Sequence, residues 1–440
     1  MTSTIAAELG DRPGANRPTA PPGRPLGDRL PLVVVGVGVA LLPLLNPKGP
    51  LNTGPVDLVL MAGILVVLVW AGTDQLAVHV PYALPVAGLA VAGLTAALVG
   101  DGAMAGFGAA AQELVLLAWC AAVVCVCRTP LGLRTLTRVW CLSATGWAAL
   151  LVVLAASGHP EVPGGKGGAG DRARLWFDHP NLAGNYFMLA VFVVLATRYP
   201  RRPVARAATV CALVLAMFFA GSNAALLSLP IGGLVIVHLR ARDRRGPVVA
   251  LALTFALAVA GGALWATVGE QAVAGLQHSD HSLLRYSVAR SSRSAEGRES
   301  LFAASLALYQ QGDVVGIGPS STSRELEESG LYDAKEAHND YLGTLVERGP
   351  LGIIALVVLA GAVAVRVANS QRPPPGWAPV VPCPEALAAA AAAYTFTALT
   401  HEVLHYRHLW TYLAVVAALD LATRDHARVE AAAEGRVDGS

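Results

Sequence analysis

Two short stretches of this chain place groups that can move protons or bind anions where long apolar runs begin. The first is AHNDYLGTLVERGPLG, residues 337–352, with His338 and Asn339 at the mouth of an apolar run and Gly349 and Gly352 further in. A histidine titrates near neutrality and can take the proton of an attacking hydroxyl. The second is RESLFAASLALYQQGDVVGIGPSS, residues 298–321, in which Arg298 precedes a segment with apolar residues at helical spacing and a G-x-G-P turn at Gly316 and Gly318. Arginine grips phosphate oxygens through a planar fork of donors. A base and a phosphate-binding cation suit group transfer from a phosphorylated donor to a hydroxyl.

Each candidate carries a structural reading beside the chemical one: His338 alone reads as a polar cap at a helix end and Arg298 as a snorkelling interface residue. In WFDHPNLAGNYFMLA, residues 176–190, His179 and Asn181 stand at the start of a span, where they either line a site or cap a helix. Asn339 orients the histidine or caps the helix that follows. Gly316, Gly318, Gly349 and Gly352 are turn and close-packing positions. THEVLHYRHLW, residues 400–410, holds His401, His405, Arg407 and His408. Only Glu402 stands near to complete a ligand set, so an interfacial belt with Tyr406 and Trp410 is favoured over a metal. Glu113 lies in an apolar run, as a functional intramembrane charge or an interface residue.

The elements that must position these residues are membrane spans. Of 440 residues 54% are hydrophobic and 14% charged, against roughly 25% charged in a soluble domain, and the mean hydropathy is +0.53. Soluble enzymes, nucleic-acid binders and disulfide scaffolds are set aside, and a net charge of +2 implies no polyanionic partner. Three lysines stand against 29 arginines, a bias that decides nothing about chemistry. The six cysteines lie in or beside apolar runs and read as buried small hydrophobes. The expected fold is all-α, a polytopic membrane protein of about twelve transmembrane helices. They fall near 31–46, 55–72, 81–100, 107–127, 137–157, 181–199, 204–220, 222–240, 247–268, 344–368, 385–400 and 408–423. The first, short and proline-ended, and the alanine-rich eleventh are the weakest of these.

Residues 1–29 read as a disordered cytoplasmic tail with no cleavable signal peptide, and 424–440 as a second cytoplasmic tail. Between spans 1–9 (30–268) and 10–12 (344–423) lies one large extracytoplasmic loop, 269–343, whose segment Glu299–Gln311 should form an amphipathic helix. Arginines recur at every second turn, including Arg128, Arg201, Arg242 and Arg372, which puts both termini inside and the large loop outside. A smaller outer loop spans 158–180. Long loops between spans are where function is expected.

The ordered set of motifs resembles the O-antigen ligase family, membrane glycosyltransferases that act on polyprenyl-linked polysaccharides. His338-Asn339 with Gly349 and Gly352, Arg298 with Gly316 and Gly318, and the Pro-Asn block at 180–181 carry the resemblance. It implies an inner-membrane enzyme with a polyprenyl-diphosphate-linked glycan donor and a glycan, lipid or protein acceptor, needing neither nucleotide nor metal cofactor. His338 and Arg298 would be catalytic; Asn339, Arg285, Arg290, His179, Asn181 and Asn223 would bind substrate. The chain departs from the family at Asn223, where an arginine is common; Arg285, Arg290, Arg293, Arg172 and Arg174 are candidate replacements. A polysaccharide polymerase of the same architecture is the nearest alternative. A secondary transporter would more often show two similar halves and mid-membrane charges.

Overall fold

A computed structural model describes residues 29–45, 53–100, 103–157, 173–269, 271, 274–275, 291–328 and 339–437, with the backbone alone for 291–298 and 435–437. Every regular element among the described residues is helical. In chain order these are α1 (Leu30–Ala40), α2 (Pro55–Thr73), α3 (Ala83–Val99), α4 (Ala103–Val126), α5 (Pro130–Ala156), α6 (Pro180–Thr197) and α7 (Pro203–Phe219). They continue as α8 (Asn223–Arg245), α9 (Pro247–Leu264, extended by a π turn), α10 (Ser291–Gln311), α11 (Ser321–Glu328), α12 (Asp340–Asn369), α13 (Glu385–Thr397) and α14 (Arg407–Val437).

Seven described helices are long and apolar enough to cross a membrane: α2, α4, α5, α6, α8, α9 with its π turn, and α12. Helices α1, α3 and α7 are shorter apolar helices. The chain is therefore an all-α, polytopic membrane protein. Proline opens α2, α5, α6, α7 and α9, where its missing N–H has no helical partner to lose.

Several boundaries differ from those read in the sequence. The first apolar run is helical only to Ala40. The alanine-rich run yields a helix of 13 residues. The tenth begins at Asp340, before the hydrophobic stretch does, because Asn339 caps it. The helix expected over Glu299–Gln311 starts at Ser291 and packs against α12; α11 was not foreseen. Five cysteines are buried as expected, but Cys211 is exposed on α7.

Helix ends gather at two poles. At the pole from which the 270–339 connection leaves, called here the loop end, Arg407 opens α14 and pairs with Asp57 in the first turn of α2 at 2.9 Å. At the opposite end Arg240 of α8 meets Glu385 of α13 at 2.5 Å, and Arg366 of α12 meets Asp420 of α14 at 2.6 Å. Helix α6 is the centre: 89% of its apolar window is buried, against 6% for α9 on the periphery. Glycines bring axes together at the core. A Cβ at Gly184 would lie 2.3 Å from Ser222 Cβ, so the starts of α6 and α8 touch.

Candidate functional site

The site is built around the first three turns of α12. Asn339 is the N-cap, and its Oδ1 accepts from the backbone N–H groups of Tyr341 and Leu342 at 2.9 and 3.0 Å. Asp340, buried, fastens the α13–α14 connection to this point. Its N–H donates to Ala398 O at 2.9 Å, and its Oδ2 accepts from Val403 N at 2.9 Å.

Two turns on, α12 breaks. Gly349 has φ +60° and ψ −165°, and Pro350 has no N–H to offer the carbonyl of Val346. That orphaned carbonyl would be costly inside a membrane. The G-x-G turn repairs it: Ile317 N donates to Val346 O at 2.9 Å and Gly318 N to Glu347 O at 3.0 Å. Gly316 (φ +96°) sits so close that a Cβ there would lie 2.6 Å from Arg348 N. A Cβ on Gly349 would lie 2.3 Å from Val314 O. The two glycine motifs, some thirty residues apart in sequence, are thus two halves of one joint.

Gly349→Ala should therefore lower stability by about 2–4 kcal/mol, from left-handed strain plus overpacking. Gly361→Ala, on the same helix with open space at its Cβ, should not. Thermal unfolding of the purified protein in detergent compares them, and equal effects would refute this account of the joint.

The joint positions a polar cavity of about 350 Å³. Glu113 and Gln112 of α4, Thr322 of α11, Glu347 and Arg348 of α12, and Glu402 and His405 of the last connection line it, with Asp340 at its edge. Thr322 Oγ1 donates to Glu347 Oε1 at 3.0 Å. Arg348 pairs with Glu113 and donates to Leu89 O at 3.2 Å. Glu113 Oε2 and Gln112 Nε2 are buried with no partner among the described residues, so the wall keeps an acceptor and a donor for a hydroxylated ligand. Burial, followed by the charge of Arg407, pushes the His405 imidazole down to about 3. It is neutral near pH 7 and serves as an acceptor or a single donor rather than a cation.

A second cluster lies at the same end. His179 caps α6, its Nδ1 accepting from Asn181 N at 3.1 Å. Ala173 N donates to Phe219 O at 3.2 Å, which ties the turn holding Arg174 to the end of α7. Arg174 is buried and donates to Asp178 O at 3.1 Å. His408 ties the start of α14 to α13 and α6: its Nε2 is 2.8 Å from Tyr394 OH, and its ring centroid is 5.7 Å from that of Tyr186 on α6.

A long apolar groove of about 880 Å³ runs beside the site between α8, α12, α13 and α14. It reaches from Asp340 and Tyr341 at the loop end to Arg242 and Arg372 at the other. Alanines of α12 and α13, including Ala364, Ala388 and Ala392, line it.

Of the residues expected to bind or react, Asn339, His179, Asn181 and Asn223 stand at the starts of α12, α6 and α8, on the loop end. Arg298 lies in α10, its side chain outside the described residues; His338, Arg285, Arg290, Arg172 and Arg293 lie outside the described residues altogether. The expected belt at 400–410 is corrected: His401, Tyr406, Arg407, His408 and Trp410 are buried, because the connection folds inward onto Asp57 and Asp340. Glu113 is a paired internal charge. Sequence reasoning missed Asp57, Asp340, Glu347 and Arg348. An ionisable residue inside an apolar run was the available signal, but its partner was not visible.

The structure is a polytopic helical bundle with a polar cavity at one end and an apolar groove beside it, a pairing with room for an amphipathic ligand. The O-antigen ligase family model matches residues 207–357, about a third of the chain. The matched stretch runs from α7 into α12. It takes in Asn223, Arg298, His338 and both halves of the glycine joint, and leaves out His179 and Asn181. No curated protein matches the chain. The match supports a membrane enzyme that processes glycans.

Proposed function

We propose that the chain is a membrane glycosyltransferase that moves a glycan from a polyprenyl-diphosphate carrier to an acceptor hydroxyl. The reaction would take place on the outer face of the bacterial plasma membrane. The observation that carries this reading is the family match across the stretch whose two glycine motifs interlock beside the polar cavity. The arginine-rich turns support a reading in which that face is outside and, with about twelve crossings, both termini are inside.

His338 would take the acceptor's proton as the hydroxyl oxygen bonds to the anomeric carbon. The bond from that carbon to the diphosphate oxygen breaks, and the polyprenyl diphosphate leaves with the electron pair. Attack from the face opposite the leaving group inverts the centre. Arg298, with Arg285 and Arg290, would stabilise charge growing on the diphosphate. Asn339, His179, Asn181 and Asn223 would hold sugar and phosphate oxygens, with Arg174, tied to the end of α7, supplying positive charge. The diphosphate is already a leaving group, so the step calls for neither nucleotide nor metal. The apolar lining of the groove between α8, α12, α13 and α14 suits the polyprenyl tail, and the cavity holding Glu113, Glu347 and Glu402 suits acceptor hydroxyls.

The test is transfer by the purified full-length protein in liposomes, with a polyprenyl-diphosphate-linked glycan and cell-envelope acceptors. A glycosylated acceptor together with free polyprenyl diphosphate is the expected result. Extension of the lipid-linked glycan itself would reassign the protein as a polymerase, and solute movement without any glycan product would overturn the reading.

A further inference from the structure

At the end of the bundle opposite the site, four cationic or titratable side chains from four segments converge. His79 belongs to the α2–α3 connection, Arg128 follows α4, Arg366 is on α12 and Arg424 on α14. A cavity of about 240 Å³ lies beside His79 and Arg128 and is lined also by Ala418, Leu421, Ala422 and Asp425; Arg366 and Arg424 stand outside that lining and meet at Asp420. The buried Asp420 carboxylate is shared: Arg366 Nη1 meets it at 2.6 Å, Arg424 Nη2 at 2.7 Å and Asn369 Nδ2 at 2.8 Å. Arg366 also stacks over the Tyr82 ring, 4.9 Å from its centroid. Arg128 donates to Ala77 O.

These contacts leave donors over. His79 Nε2, Arg128 Nε, Arg366 Nε and Arg424 Nε are buried, with no partner among the described residues. Three guanidinium groups face one buried carboxylate, since Asp425 is largely exposed and turned toward Arg428 at 3.7 Å. Excess positive charge and unspent donors at a membrane interface are both unfavourable unless an anion with several acceptor oxygens meets them. Alanines and Leu421 form an apolar wall beside those donors. That combination matches a phosphate whose ester carbons continue into lipid, and the arginine distribution puts this end at the inner leaflet.

We propose that His79 and Arg128, with the neighbouring charges of Arg366 and Arg424, form a binding site for a phosphate group, supplied by the headgroup of an anionic phospholipid of the inner leaflet. The site is separate from the glycan chemistry and does not rest on that reading. A bound phosphate would bridge the α2–α3 connection to α12 and α14 and stabilise the folded bundle. It would also offset the burial and the Arg366, Arg424 and Arg128 charges that hold the His79 imidazole below its usual range.

The test is retention of dioleoylphosphatidylglycerol against dioleoylphosphatidylcholine by the full-length protein in detergent, read by native mass spectrometry and by the unfolding midpoint. The wild-type protein should keep phosphatidylglycerol preferentially, and Arg128→Gln and Arg424→Gln should each weaken that retention about fivefold. Arg201→Gln, which removes an exposed charge at the same end away from the cavity, should leave it unchanged. Millimolar inorganic phosphate is the second arm. Phosphate that binds in place of the lipid would keep the phosphate site but assign it to a free anion. Equal retention of the two lipids with no phosphate binding would overturn the proposal, as would equal losses in Arg201→Gln and Arg128→Gln. If Arg424→Gln fails to fold, Arg128→Gln and His79→Gln, which leave Asp420 and its partners in place, still decide it.

Discussion

Replacing His338 with alanine is expected to lower glycan transfer by about 10²–10⁴-fold while leaving the bundle folded. The magnitude is that of losing a positioned general base. The folding half of the expectation comes from the cap of α12. A histidine at a helix mouth can act as a cap, but here Asn339 Oδ1 takes both first-turn donors, at 2.9 and 3.0 Å. The start of the helix is also held by Asp340 through Ala398 and Val403. Asn339→Ala is therefore the informative companion: it should cost about 1 kcal/mol of stability, whereas His338→Ala should cost little. Transfer assays in membranes, paired with unfolding midpoints, separate the two. Normal transfer by a stably expressed His338→Ala protein would remove the histidine from the mechanism.

The largest stability effect should come from Arg407. Its guanidinium meets both oxygens of Asp57 at 2.9 Å, and Asp57 also accepts from Gly54 N at 2.7 Å. The pair joins the start of α14 to the start of α2, and both side chains are nearly inaccessible, at 3% and 10%. Arg407→Gln leaves a buried carboxylate without its counter-charge, at an expected cost of about 3–5 kcal/mol. Adding Asp57→Asn removes the stranded charge and should recover part of that loss. Unfolding midpoints of the two single variants and the double variant measure the coupling. Strict additivity would show that the pair contributes nothing as a pair.

Much of the bundle is legible in the sequence because a membrane span is a local property. Twenty apolar residues identify one wherever they occur, so α2, α4, α5, α6, α8, α9 and α12 stand out without any partner. Short elements do not. Helix α13 has 13 residues and a wall of alanines, whose purpose becomes apparent only from the groove against α8, α12 and α14. The start of α12 was missed by four residues because Asp340 through Gly343 are weakly apolar, and the cap that begins the helix is a hydrogen bond rather than a hydropathy step.

The candidate site divides in the same way. The motif glycines are visible as glycines, but their function is relational. Gly349 and Pro350 strip Val346 O of its helical donor, and Ile317, from another element, supplies the replacement. The 400–410 segment shows the reverse error. Histidines, tyrosine and tryptophan at a span boundary have the composition of an interfacial belt, yet the segment is drawn inward by Asp57 and Asp340, which lie far from it in sequence.

The sequence by itself determined the solvent of this protein, its all-α class, most of its long spans and the stretch matched by the O-antigen ligase family. Each depends on residues adjacent in the chain or on summed hydropathy. Only the tertiary structure decided which charges are paired: Asp57 with Arg407, Glu113 with Arg348, Asp420 with Arg366 and Arg424. It also decided that the two glycine motifs are one joint. The physical reason is that a buried charge or an orphaned carbonyl must find its complement in space, and a one-dimensional pattern records the need without the partner.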